Sequence, residues 1–466
     1  MTKDIAYDKN TNLIQHERNI YNITSITLLI ISLSLLVAGL YYQLVSHSLA
    51  PLIVGIVAGA TLAIPLELWN FSDPDTLQRV MAFQDRFLMV CFGFAIGLGA
   101  ILLYGLNLIP GVQPHFGFKA LFVPGIVIGG LLFGIGVGFA GYFPGTIWIA
   151  LGQGRRDAIY AVAGGLLGAL SWSLIFGAVR NDLWNTLNFG PITWYSIAGL
   201  TSKLEIFLVS LVFGGIMFLL FMFLPRYPKL SIKQSCAYHL TGKNKQAYVF
   251  DEQYSEELSK YPNARRFIVR LTNESSETNA RSIILLGLAF TVTAVAVIYL
   301  RQIFGESTTY AWIWSQLLYG LNPSYAASNP YWQIFGGLKI SNGIAIDNPF
   351  SQIGWEPFSD LGTFLGGLIS SLFISKRFMG FKKQVPNVWQ KRFGKSEKLR
   401  FIGSFFGAFL VLFGARMANG CASGHILSGN IQMAVSSFVF MIAVLAGAWL
   451  ILGIVMRLKI NGTGFR

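Results

Sequence analysis

Charge is what this chain most conspicuously lacks. Asp, Glu, Lys and Arg together make up 12% of its 466 residues, against about 25% in a water-soluble domain. That deficit excludes a solvent-bathed globule and points to lipid as the main surroundings. Cysteine is scarcer still, with three residues, Cys91, Cys236 and Cys421. Three thiols at these spacings build no disulfide framework and match no zinc pattern, so neither metal nor cofactor is expected. A phosphate-binding P-loop is also missing, which leaves ion gradients or consumption of a substrate as the sources of energy. Acidic residues number 21 against 35 basic, for a net charge of +14. Such an excess suits nucleic acid, but here the basic residues crowd the ends of apolar runs, as in membrane proteins. Nucleic acid is therefore not an expected partner. The first 22 residues are polar and the first apolar run is too long for a signal-peptide core, so we expect it to be retained as a span.

What is present is hydrophobic, at 53% of the chain, with 50 Gly and 38 Phe. Glycine at that frequency suits bilayer helices, which associate by close contact. About 20 apolar residues cross a hydrocarbon core of about 30 Å. Runs of that kind predict ten spans, over 23–46, 51–68, 85–107, 120–142, 157–178, 204–225, 282–303, 358–375, 401–419 and 431–455. The second is short and interrupted by Pro65. Residues 376–400 hold nine basic residues and one acid, and residues 226–281 ten basic and six acidic, so both loops are expected in the cytoplasm. Counting outward from them puts Arg155, Arg156 and both termini on the same side. The expected organisation is a tail (1–22), a first membrane half (23–225), a polar insert (226–281) and a second membrane half (282–466). Within the insert, "KQAYVF" and "RRFIVRL" read as short strands, and so short a segment rarely builds a strong core alone.

A weak internal repeat joins the halves. At an offset of 278, "GIVIGGLLFGIGVGFAGYFPG" (125–145) sets Gly125 on Gly403, Gly129 on Gly407, Gly136 on Gly414 and Phe143 on Cys421 of "GSFFGAFLVLFGARMANGCAS". Each segment is a glycine-rich span ending in a small-residue break. An odd number of spans separates them, so the units are inverted, an arrangement that places a substrate site where broken helices meet.

The richest stretch is "ANGCASGHILSGN" (418–430). Helix N-termini created by such breaks offer free N–H groups and partial positive charge to an anion. Gly420, Gly424 and Gly429 would let backbone approach a guest, while Ser423, Ser428 and Asn430 offer donors. The same composition also serves as a plain helix contact. An unperturbed cysteine is mostly a neutral thiol near pH 7, so Cys421 would not repel an anion; an inert packed thiol is the alternative. His425, four residues on, would share a helical face with Cys421 and bond the thiol, carry a proton or cap a helix. Arg416, inside an apolar span, either attracts an anion or pairs with an acid such as Glu67. Cys91 is a packing thiol or a pore ligand, and Cys236 is incidental. Phe143 and Pro144, followed by Gly145, form a hydrophobic constriction or simply terminate a helix.

These motifs resemble a known family. "GARMANGCASGHILSGNIQMAVSSFVF" (414–440) resembles the hallmark of the YeeE/YedE sulfur-transport membrane proteins. "GVGFAGYFPG" (136–145) is similar to the family's first-half signature, which usually reads Gly-Tyr-Cys-Pro-Gly, and "FSDPDTLQRVMAFQD" (71–85) to a third element around Asp-Pro. The resemblance implies an all-α integral membrane fold with two inverted pseudo-symmetric halves and short re-entrant helices. It implies transport of a small sulfur-containing anion, thiosulfate above all, in the bacterial inner membrane, with no enzymatic step. Family members pass the anion along cysteines through S–H contacts. Cys421 occupies the second-half cysteine position, and Phe143 stands where the first-half cysteine is usual. The candidate site, read from the residues and the resemblance together, comprises Arg416, Gly420, Cys421, Ser423, Gly424, His425 and Ser428, with Phe143, Gly145 and Cys91. A second reading stays open, in which Cys421 carries persulfide sulfur to a cytoplasmic sulfurtransferase.

Overall fold

The computed structural model describes residues 2–83, 87–223, 276–336, 340–341, 344–345 and 354–456. Among these, nine helices are long and apolar enough to cross a membrane, and the shorter Val54–Leu68 makes a tenth apolar helix. The chain is an all-α integral membrane protein, matching the span pattern read from the sequence. The expected insert lies outside the described residues up to Ser276, as do both strand readings within it. The sole strand pairing described is a two-residue antiparallel contact between Ile340–Ser341 and Ile344–Ala345.

In chain order the helices are α1 (Thr2–Tyr41), α2 (Val54–Leu68), α3 (Pro74–Met81), α4 (Phe87–Leu106), α5 (Val123–Ala140), α6 (Pro144–Gly152), α7 (Arg156–Arg180), α8 (Trp194–Ile197) and α9 (Lys203–Phe223). There follow α10 (Ser276–Leu300), α11 (Thr308–Leu321), α12 (Pro323–Ser328), α13 (Trp332–Phe335), α14 (Trp355–Ile369), α15 (Asn387–Phe393), α16 (Glu397–Met417), a π-helical segment Ala422–Gly429, and α17 (Val435–Trp449). Pro65 lies in the last turn of α2, which ends at Leu68.

Helix α10 is almost wholly apolar from Ile283 onward and accordingly central: every residue from Ala294 to Leu300 is fully buried. Helices α5 and α16 cross in close contact. A Cβ added at Gly136 would lie 2.5 Å from the Gly407 carbonyl oxygen, and one at Gly129 would lie 2.7 Å from that of Gly414. In the repeat register Gly129 pairs with Gly407 and Gly136 with Gly414. Each residue therefore touches the counterpart of the other, the reciprocal pattern a twofold relation requires. Glycine permits this because interaxial approach is limited only by backbone. The flanking contacts repeat the relation: Gly130 and Gly134 of α5 face Ala443 and Val444 of α17, and Gly164 and Gly168 of α7 face Phe405 and Phe409 of α16.

The connections sort into two ends. At one end Met379 and Phe381 donate backbone N–H groups to the carbonyls of Gln153 and Gly154. The N-terminus of α15 donates there from Asn387 and Val388 to the Asp75 carboxylate. At the other end His115 N–H reaches Ile298, Ala50 N–H reaches Leu300, and Val435 N–H reaches Ile192.

Candidate functional site

Both breaks form as their sequences dictate. Helix α5 ends at Gly141, whose φ of +70° closes the last turn with an N–H bond to Val137. Tyr142 and Phe143 cross as extended backbone, and Pro144 opens α6 at the position where its missing N–H is harmless. The Thr146 hydroxyl accepts the Phe143 N–H at 2.8 Å, fixing the turn. Gly145 follows as the second residue of α6. In the other half α16 ends at Met417, Asn419 takes the left-handed conformation (φ +56°), and Cys421 is extended. The π-helical segment then starts at Ala422, with the His425 N–H bonded to the Cys421 carbonyl at 2.8 Å.

Cys421 is thus the cap of a helical N-terminus, and it is buried. Its Sγ lies 3.1 Å from Ser423 Oγ, with the backbone of Gly424 and Glu306 alongside. His425 makes no hydrogen bond to the thiol. Its Nε2 lies 3.0 Å from the Ala418 carbonyl, so that nitrogen carries the proton, and Nδ1 accepts from Ser437 Oγ at 3.2 Å. The ring stacks on Phe440 at 4.6 Å. His425 therefore clamps the break shut from behind, with both nitrogens committed. Ser428 bonds the Phe304 carbonyl at 3.2 Å, which ties the segment to the chain leading to Glu306. Gly429 packs on Ser437.

Arg416 is buried in the last turn of α16. It donates to Tyr331 Oη, to Ser307 Oγ at 2.8 Å and to Thr308 Oγ1 at 3.1 Å, and its guanidinium lies over Phe335. It does not pair with Glu67, which sits at the opposite end of the fold with Arg377, Gln153, Ser370 and Ser375. Phe143 packs on Phe133 and Phe71, each at 5.6 Å between centroids. Phe133 in turn meets Phe440 at 5.4 Å, so an aromatic series connects the first break to His425 of the second. Cys91 is half-buried on α4; its neighbour Phe92 packs on Phe71, one ring removed from Phe143.

Two residues at the centre escaped sequence reasoning. The Glu306 carboxylate lies against Gly145, so that a Cβ there would overlap it. It accepts from Thr363 Oγ1 of α14 at 3.2 Å, and Ser423 lies beside it. One side chain thereby touches the first break, the second break and α14. The signal was an acid just past an apolar span, followed by Ser-Thr-Thr. The second is Lys119, half-buried, whose Cε would lie 3.4 Å from a Cβ on Gly420 and 3.9 Å from one on Gly424. It arrives on the extended segment before α5, anchored by Ser436 Oγ donating to its carbonyl at 2.7 Å.

The arrangement offers a thiol, two hydroxyls, backbone N–H groups and one cation around a point where two helices begin. The sulphur transport family model matches residues 70–450, which include both breaks. The chain belongs to the sulphur transport family. A comparison with curated proteins finds no match. The family match spans α3 through α17, so the Asp-Pro turn, the Tyr-Phe-Pro-Gly break and the Gly-Cys-Ala-Ser-Gly-His break all lie within one family domain, and the chain is a multi-pass sulfur-transport membrane protein.

Proposed function

We propose that the protein carries a small sulfur-containing anion, thiosulfate-like, across the cytoplasmic membrane of a bacterium, through the point where the two breaks approach each other. The reading takes 23–225 and 282–466 as inverted halves, with both chain termini and the insert in the cytoplasm. The observation that carries it is the setting of Cys421. Cys421 is the cap residue of a helical N-terminus, its sulfur lies beside Ser423 Oγ, and Glu306 links that cap to Gly145 of the opposite break. An anion at bilayer depth must exchange water for fixed donors, and these are the donors a helix start provides. Sulfur contributes a weak, polarizable contact suited to a sulfur-bearing guest. Cys421 acts here as a binding contact, with no reaction step. Its burial argues against handing persulfide to a soluble sulfurtransferase, which needs an approachable sulfur.

In this reading Phe143 replaces a first-half thiol with an apolar ring, so the second half supplies the single cysteine contact of the two breaks. Uptake into proteoliposomes tests the proposal, with thiosulfate, sulfite, sulfate and selenite run in parallel. Wild type is expected to take up at least one sulfur anion, and Cys421→Ala to lose about tenfold or more of that flux, the equivalent of about 1.4 kcal/mol. Equal flux in both proteins would remove Cys421 from the site. A persulfide on Cys421, seen by mass spectrometry after turnover, would replace transport with sulfur relay.

A further inference from the structure

The Glu306 carboxyl stands where the proposed function needs its guest. It lies on Gly145 at the start of α6, takes the Thr363 hydroxyl and stands beside Ser423, whose hydroxyl is the partner of the Cys421 sulfur. A carboxylate fixed there occupies the donors a transported anion would use, and repels it. Among the described residues, no Lys or Arg forms an ion pair with Glu306 or with Asp360, which interacts with it from one turn earlier on α14 than Thr363. Both Asp360 oxygens are buried without a hydrogen bond of normal geometry, as are the neighbouring Thr309 hydroxyl and Trp148 indole N–H. The other ionisable groups facing this point are Glu356, Tyr310 and Cys421. Glu356 accepts the Thr308 N–H at 2.8 Å and feels both Arg416 and Lys119. Arg416 itself is committed to Tyr331, Ser307 and Thr308. Two interacting buried carboxylates with no cation paired to either do not both stay charged, because desolvation costs several kcal/mol per ion; their titration then belongs to the pair.

We propose that Glu306 is a proton-carrying gate: as a carboxylate it fills the place between the two breaks, and as a neutral acid, sharing its proton with Asp360, it yields that place to the substrate anion. Each anion then crosses with a proton. The inference rests on the transport reading above. It adds the coupling ion and the residue that carries it.

The test uses reconstituted full-length protein with a pH-sensitive dye inside the vesicles and thiosulfate outside, replaced by whichever other of the four anions wild type carries. Wild type should acidify the lumen as anion enters. An inward gradient of about one pH unit should raise accumulation about tenfold, since one unit is a factor of ten in proton activity. In Glu306→Gln the ratio of accumulation with and without the gradient should fall to about one, whatever the absolute flux. Anion flux in wild type without acidification or gradient response would overturn the gate and leave the transport reading intact. Absence of flux for all four anions would instead sink the transport reading. Infrared spectra provide a readout independent of flux. Wild type near neutral pH should show a protonated-carboxyl C=O band that weakens in both Glu306→Gln and Asp360→Asn. Absence of that band in wild type overturns the gate even if the variants carry nothing.

Discussion

Gly145 and Glu306 share one space, and only a residue without a side chain permits it. A methyl group on Gly145 overlaps the Glu306 carboxylate, so Gly145→Ala must either expel that carboxylate or shift the start of α6. Overpacking of this kind destabilises by about 1–3 kcal/mol. We therefore expect Gly145→Ala to lower the thermal unfolding midpoint in detergent, followed by tryptophan fluorescence. The loss should be smaller in a Glu306→Ala background, where the methyl group has room, which gives a coupling of the kind contacting residues show. Additive losses would mean that the two residues do not compete for the space. The same contact explains what the sequence left unread. Cys421, Ser423 and Gly420 were legible because small polar residues stand out between apolar runs. Glu306 and Lys119 were not, because each reaches the breaks from a distant segment, and nothing local marks a lone acid or lysine as facing inward. Arg416 was legible as unusual but not in its use. Its guanidinium holds Tyr331, Ser307 and Thr308 in place, and through them the approach to Glu306.

Among the elements, the glycines of α5 and α16 were readable as a repeat, while the crossing of the two helices on them was not. The π-helical form of Ala422–Gly429 was not readable. An ordinary helix would have put His425 on the face of Cys421, whereas here the ring folds back to the Ala418 carbonyl. The crossing also makes the sharpest element-level prediction. The space at Gly136 is closed by backbone, the Gly407 carbonyl oxygen at 2.5 Å and the Val411 nitrogen at 2.7 Å, neither of which can rotate away. Gly136→Leu is expected to separate the helices and abolish recovery of folded monodisperse protein in size-exclusion chromatography. Gly215, on α9, has nothing within 4 Å of an added Cβ. Gly215→Ala should be tolerated and stabilise by up to about 1 kcal/mol, the helix-propensity difference between the two residues. If both variants behave alike, close approach is not what holds α5 to α16.

At the scale of the whole molecule, the arrangement of charge sets the orientation in the membrane. One end is crossed by a buried ladder in which Asp73 meets Arg155 at 2.8 Å, and Arg155 and Arg400 flank Asp157 at 3.5 Å and 2.7 Å. Arg400 also donates to the carbonyls of Phe139 and Ala140 at the C-terminus of α5, where helix dipoles favour a cation. The ladder joins α16 of the second half to α3 and α7 of the first, and it lies beside the strongly basic stretch 376–400. The loops that the span count assigns to one side, those carrying Arg155, Arg156, Arg377 and Lys382, do gather at one end of the fold. Which compartment that end faces rests on the excess of basic residues. Lys382 at this end and Thr201 at the other are both exposed, so a single cysteine at each reads the orientation. With Cys236 replaced by Ser, and Cys421 protected by its burial, Lys382→Cys should react with a membrane-impermeant maleimide only in inside-out vesicles or permeabilised cells. Thr201→Cys should react in intact spheroplasts. Any reaction of Cys91 is common to both variants and is subtracted with the Cys236→Ser parent. The reverse pattern would turn the protein over in the membrane and place the Lys119 side of the second break toward the cytoplasm. Reaction of both from one side would break the alternation of spans on which the inverted halves depend.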